Sequence, residues 1–174
     1  MEDREDEVFP LVDESGKVIG QATRAVCHAK TFLLHPVIHL HVFNSEGKLY
    51  LQKRSSKKDV QPDKWDTSVG GHVDLGEAVE DAVKREAFEE LAITEFQAHF
   101  LFRHKIVTDL EAELTSVFYT VFDGEISPDP TEISEGRFWD VKEIAMQIGQ
   151  NVFTPNFERD FEGLLKTKLI HLDA

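Results

Sequence analysis

Apolar and polar positions alternate in short runs along most of the chain. Phe9-Pro10-Leu11-Val12-Asp13 and Val18-Ile19-Gly20 flank Glu14-Ser15-Gly16-Lys17, a hairpin pattern. Residues 36–54 predict two strands. Val37-Ile38-His39-Leu40-His41-Val42-Phe43 runs into the turn Asn44-Ser45-Glu46-Gly47, and Leu49-Tyr50-Leu51-Gln52 resumes the strand pattern. Ser55 to Lys64 is polar with one proline, hence a loop. Thr67 to Val73 predicts a strand whose pair Gly70-Gly71 lets a ligand approach the backbone. From Glu77 to Leu91 the period changes: Val79, Ala82, Val83 and Ala87 recur at helical spacing with neither Gly nor Pro between them. Glu77, Glu80 and Asp81 sit in the first half of this helix, where its dipole favours anions. Strands follow over 98–105, 114–122 and 137–140, punctuated by Asp123-Gly124 and Pro128-Asp129-Pro130. Val141 to Gln150 predicts a helix. Phe153-Thr154-Pro155-Asn156 ends it and caps a last helix to Lys168. Strands and helices do not alternate regularly, which predicts an α+β fold or an α/β sandwich.

The chain has 174 residues, which suits one domain. That domain is expected over 9–174, after a loose acidic tail over 1–8. Nineteen Lys and Arg against 33 Asp and Glu leave a net charge of −14, which excludes a general nucleic-acid binder. It does not exclude a small phosphorylated substrate, because acidic sites carry divalent cations. Cys27 is the single cysteine, so neither an internal disulfide nor a cysteine zinc cage can form. A reducing cytosol is the natural expectation. The start of the chain shows no apolar signal segment, and no apolar run approaches the roughly 18 residues of a membrane span.

Glu86, Glu89 and Glu90 stand at i, i+3 and i+4, so they share a helix face. Like charges at this spacing cost roughly 0.2–0.5 kcal/mol per pair. Glu89 and Glu90 also lie near the helix C-terminus, where the dipole disfavours anions. Local helix stability therefore does not account for the cluster. Two explanations remain: a solvated acidic face, or a set of oxygen ligands for Mg²⁺ or Mn²⁺.

The stretch Gly71 to Ile93, GHVDLGEAVEDAVKREAFEELAI, resembles the signature of the Nudix hydrolases. Gly71, then Glu77, then Arg85-Glu86-Ala87, then Glu89-Glu90-Leu91 and Ile93 match it in register. Ala92 departs from it, since the family pattern has Gly there, and Ala tolerates a left-handed backbone less well. The resemblance implies an α/β/α sandwich with a mixed β-sheet, in which this box forms a loop–helix–loop. It implies that Glu86, Glu89 and Glu90 coordinate Mg²⁺ or Mn²⁺, with the Gly70 carbonyl as a further ligand. Glu77 and Arg85 would organise the loop and orient the carboxylates. The implied reaction is hydrolysis of a diphosphate linked to another moiety, with a carboxylate taking the proton of the attacking water.

Outside the box, from His28 to Leu164, the chain is similar to type I isopentenyl-diphosphate isomerase, a member of the same superfamily. The spacing of His28 and His35, His72 in Gly-Gly-His, and the segment Glu111 to Phe118 carry that likeness, with Pro128 to Ile133 and Phe153-Thr154-Pro155. It implies a second metal site on His28, His35, His72, Glu111 and Glu113. The isomerase has a catalytic cysteine where this chain has Gly70, and glycine cannot move a proton. The resemblance therefore favours a hydrolase of the isomerase-like branch over an isomerase.

Other residues allow two readings. His39 and His41 share a strand face, where packed or exposed polar residues are commoner than ligands. Glu113 or Glu111 is a candidate general base or extra ligand, and Glu135 is another candidate base. Lys53, Arg54, Lys57, Lys58 and Lys64 are either solubility charge or phosphate contacts, with Arg54 and Lys58 the candidates for substrate binding. Trp65 either packs under the glycine loop or stacks on a base. The expected function is a Mg²⁺-dependent hydrolase of a nucleoside diphosphate derivative or related diphosphate, without a nucleic-acid or membrane partner. The alternatives are a diphosphate isomerase and an idle module that senses a diphosphate. A homodimer is the common default for enzymes of this size.

Overall fold

A computed structural model describes residues 5–56 and 61–172. The opening hairpin pairs β1 (Val8–Val12) with β2 (Val18–Thr23). A single turn, α1 (Arg24–Cys27), follows. The main sheet is built on β3 (Leu34–Phe43), which is buried along almost its whole length. Such a strand reads as near-continuous apolar sequence, and here histidines interrupt it. β8 (Ala112–Val121) runs parallel to β3 from Leu34 opposite Ala112 to Phe43 opposite Val121. β7 (His99–Val107) forms the antiparallel edge beyond β8. On the other side of β3, β4 (Leu49–Arg54) joins at Phe43 and β6 (Val69–His72) joins from Val37 to Leu40. The short β5 (Trp65–Asp66) and β9 (Ile133–Trp139) flank β4. The result is a seven-stranded mixed sheet.

Helices cover both faces, giving the expected three layers. α2 (Val79–Leu91) lays Ala82, Val83, Ala87 and Leu91 on Ile38, Leu40, Val42 and Tyr50. On the opposite face α3 (Val141–Gln147) and α4 (Pro155–Thr167) bury Ile144, Phe157, Phe161 and Leu164 against Phe43, Leu49, Leu51 and Trp139. Thr154 caps α4 by accepting from the Phe157 amide at 3.1 Å, and Pro155 occupies the first helical turn.

Several boundaries differ from the sequence expectation for identifiable reasons. α2 starts at Val79 rather than Glu77, because Glu77 accepts from the Asp74 amide and from Arg85. β9 reaches back to Ile133 because it pairs with the full length of β4. The opening two-stranded hairpin begins at Val8, inside the stretch expected as tail. The Glu5 and Glu7 carbonyls accept from the Ala25 and Arg24 amides and close the start of α1. Among the described residues no helix is long and apolar enough to cross a membrane.

Candidate active site

β6 divides its residues between the two faces of the sheet, as any strand does. Val69 and Gly71 point to α2, while Gly70 and His72 point to the α4 side. The Glu86 carboxyl group fills the space that a Cβ on residue 71 would need, so glycine is required there if that carboxyl is to reach the sheet.

Arg85 orders the carboxylate face. Its Nε and Nη2 donate to the two Glu77 oxygens at 2.9 Å each. Nη2 also donates to the His72 carbonyl at 2.9 Å, which ties the helix to β6. Nη1 donates to Glu86 at 2.7 Å and reaches Glu89 at 3.4 Å. Glu90 accepts from the Gln52 side chain at 3.0 Å and from the Gly70 amide at 3.2 Å. Burial pushes the Glu90 carboxyl up to about 8, with the neighbouring Glu86 adding to it. Burial likewise pushes Glu86 up to about 7, against the pull of Arg85. Acids in this condition hold protons near neutrality until a cation replaces them. The donor set is all oxygen and suits a hard divalent ion. The expected metal ligands Glu86, Glu89 and Glu90 thus share one helix face, and Glu77 and Arg85 hold that face in position.

A second cluster lies on the other side of β6. His28, His35, His72 and Glu111 bring one ligand atom each to within 4.8 Å of the others. The His28 Nε2 lies 2.8 Å from Glu111 Oε2 and 3.3 Å from His72 Nε2. His35 Nε2 lies 3.5 Å from the same Glu111 oxygen without a formed hydrogen bond, and both atoms are buried. Its Nδ1 is 3.0 Å from the Leu33 carbonyl, which leaves Nε2 as the free ligand atom. Burial, then the nearby His35 and Arg24, holds His72 well below the usual histidine range, so it remains a neutral ligand. Burial works against the Glu111 charge, but the adjoining His28 and His35 rings hold its carboxyl below the usual range. Phe9 of β1 stacks on His72 at 4.1 Å between ring centroids and closes the cluster over. Imidazoles with a carboxylate suit Zn²⁺ or a transition-metal ion such as Mn²⁺.

Glu113 stands one step from this group. Its carboxylate accepts from the Asn156 side chain at 3.2 Å, and burial raises its pKa. Arg54 pairs with Asp66 at 3.3 Å at the end of β4, while Lys58 lies outside the described residues. Glu135 is exposed on β9. Trp65 is buried edge-on to Trp139 at 5.0 Å between centroids, so it packs rather than offering a face to a base. Ala92 adopts the left-handed conformation at φ 56° that the family pattern assigns to glycine.

One constellation was not expected from the sequence. Asp160 of α4 is fully buried and its Oδ2 lies 2.6 Å from His39 Nδ1 and 3.1 Å from His41 Nε2, while Oδ1 lies 2.9 Å from His104 Nε2. The available signal was Asp160 itself, which occupies the apolar helical register of Phe157, Phe161 and Leu164.

A family model of the NUDIX domain matches residues 33–160. A protein of Streptomyces coelicolor described as an uncharacterized Nudix hydrolase is 32% identical over 87% of this chain and 84% of its own length. An isopentenyl-diphosphate Delta-isomerase of Clavibacter sepedonicus is 31% identical over 86% of this chain and 83% of its own. The crystal structure of DR0079 from Deinococcus radiodurans superposes with a TM-score of 0.77 at 26% identity, covering 90% of this chain and 98% of that one. The chain belongs to the Nudix family. It is a Nudix hydrolase, and the chemistry of its domain is hydrolysis of diphosphate-containing substrates.

Proposed function

We propose that this protein hydrolyses a diphosphate joined to another moiety, a nucleoside diphosphate derivative or a related compound, with Mg²⁺ or Mn²⁺ on Glu86, Glu89, Glu90 and the Gly70 carbonyl. The observation that carries this is the half-buried carboxylate pair Glu86 and Glu90, kept in place by Arg85, Gln52 and the Gly70 amide. A divalent ion bound there would neutralise phosphoryl charge and polarise the P–O bonds. The chain's own part is orientation and proton transfer. Arg85 and Glu77 fix the helix face, and Gln52 and Gly70 fix Glu90. A carboxylate, with Glu90 and Glu113 as the candidates, accepts the proton of the water that attacks phosphorus. The bridging P–O bond breaks, and its electron pair leaves with the departing phosphate.

The histidine cluster favours a second reading, isomerisation of isopentenyl diphosphate, the activity named for the Clavibacter sepedonicus relative. Gly70 weighs against it, since this position carries no side chain to protonate an alkene. A diphosphate panel that includes isopentenyl diphosphate, incubated with Mg²⁺ and followed by phosphorus and proton NMR, separates the two. New phosphorus signals abolished by EDTA and by Glu90→Gln support hydrolysis. Unchanged phosphorus signals with a shifted alkene proton would establish isomerisation instead. Binding without any turnover would leave the sensor.

A further inference from the structure

His39 is 6% exposed and lies opposite Gly70 in the β3–β6 ladder. Its Nδ1 meets Asp160, but its outward nitrogen, Nε2, has no protein partner among the described residues. The neighbouring ring is satisfied at both ends: His41 meets Asp160 through Nε2 and Thr67 Oγ1 through Nδ1 at 3.3 Å. Anchoring α4 therefore does not account for the aim of His39. Gly70 clears the ground in front of it, since a Cβ there would come 3.7 Å from His39 Nε2 and 3.3 Å from its Cδ2. The same glycine donates its amide to Glu90 on the opposite side. The free nitrogen of His39 thus lies one backbone's breadth from the carboxylate centre. Thr115, on the same face as Glu113, presents a buried hydroxyl that also lacks a hydrogen-bond partner among the described residues. The row is built for polar company rather than for a hydrocarbon.

We infer that His39, oriented by Asp160, binds the substrate's diphosphate group, its Nε2–H donating to a phosphoryl oxygen seated beside Gly70. The inference rests on the diphosphate reading above. A carboxylate on Nδ1 fixes the ring plane and directs the second N–H outward. The buried Asp160 carboxylate, 2.6 Å from Nδ1, supplies the counter-charge for an imidazolium, in which both ring nitrogens carry hydrogen. Asp160 offsets that charge inside the protein, so the ring acts as a directed donor and not as a bare buried cation.

Methylenediphosphonate with Mg²⁺ is the probe, because it keeps two phosphoryl groups and cannot be hydrolysed. His39→Asn keeps an N–H facing Asp160 and removes the outward nitrogen, whereas His39→Gln places an amide near Nε2 and gives up the Asp160 contact. Calorimetry should show the probe bound about tenfold more weakly by His39→Asn than by the wild type, the loss of one charge-assisted hydrogen bond. His39→Gln should bind better than His39→Asn. In wild-type protein labelled with ¹⁵N-histidine, the His39 Nε2 resonance, assigned by its loss in His39→Gln, should move on adding the probe. Equal binding by His39→Asn and wild type, or an unmoved resonance, overturns the inference and leaves the diphosphate reading intact. Failure of the wild type to bind the probe overturns both. Should His39→Asn not fold, the resonance in the wild type decides.

Discussion

Arg85 holds Glu77 through two parallel hydrogen bonds of 2.9 Å, and the nitrogen left over reaches Glu86 at 2.7 Å. One planar side chain therefore sets both the loop before α2 and the ligand face of the helix. Lysine keeps the charge but cannot reproduce the fork. Arg85→Lys should lower stability by about 1–3 kcal/mol, and turnover should fall about 10–100-fold as the ligands lose their alignment. Thermal unfolding read beside kcat checks both effects.

Gly71→Ala tests the carboxylate centre without touching a ligand. The new methyl would take the place of the Glu86 carboxyl, which can swing away at its flexible end. The fold should survive with a change of about 1 kcal/mol, while Mg²⁺ affinity falls about tenfold or more. Calorimetric titration of Mg²⁺ alone reads the affinity. Undiminished Mg²⁺ binding would place the metal elsewhere.

Acidity supplies a third test. Glu86 and Glu90 have folded values of about 7 and 8, above the ordinary glutamate value of 4.5. Between the ordinary and the raised values the folded chain binds more protons than the unfolded one, so metal-free stability falls as pH rises through that range. His39, raised to about 9, stabilises fully below its ordinary value and loses that contribution as pH climbs to 9. All three act in the same direction. The metal-free melting temperature should drop from about pH 6 to about pH 9, and Mg²⁺ should raise it more at the alkaline end, where no protons need displacing. Melting curves in EDTA and in excess Mg²⁺ across that range decide it. A metal-free curve that rises with pH would contradict the assignment.

The histidine cluster predicts a second ion of different preference. Mn²⁺ or Zn²⁺ should bind at two sites in the wild type and at one in His72→Gln, with Mg²⁺ binding little changed. Metal content after gel filtration, or the electron spin resonance of titrated Mn²⁺, counts the sites. Equal stoichiometry in the two proteins would mean that the cluster is a hydrogen-bond network alone.

Ala92 ends α2 in a left-handed conformation, with its amide donating to the Phe88 carbonyl at 2.9 Å and the Ile93 amide to the Ala87 carbonyl at 3.1 Å. Glycine fits this backbone without a Cβ penalty, so Ala92→Gly should stabilise the protein by about 1 kcal/mol. Denaturant unfolding measures it.

How much of this was legible follows from where the information lies. The helix of Glu86, Glu89 and Glu90 declares itself because its ligands are neighbours in one periodic segment. Thr154 and Pro155 mark the start of α4 for the same local reason. The histidine cluster was legible only through resemblance, since His28, His72 and Glu111 meet across loops and strands that spacing does not join. The Asp160 network was hidden more deeply. Three of its members lie on β3 and β7, and the fourth comes 119 residues after His41. Histidines alternating in a strand look like ordinary polar filling until an acid from another layer reaches them. Only the acid's position on an apolar helix face hinted at it.

The four residues of β6 have a consequence for change in this protein. Val69 packs against α2, Gly70 serves Glu90 with its amide and His39 with its bareness, Gly71 admits Glu86, and His72 completes the histidine cluster. Because side chains alternate, sliding this strand by a single residue would turn His72 toward the acids and a glycine toward the imidazoles, ruining both centres at once. The two centres are therefore locked to one pairing frame. An insertion or deletion in the loops flanking β6 is tolerable only if it leaves that frame alone, whereas replacements elsewhere can retune either centre separately.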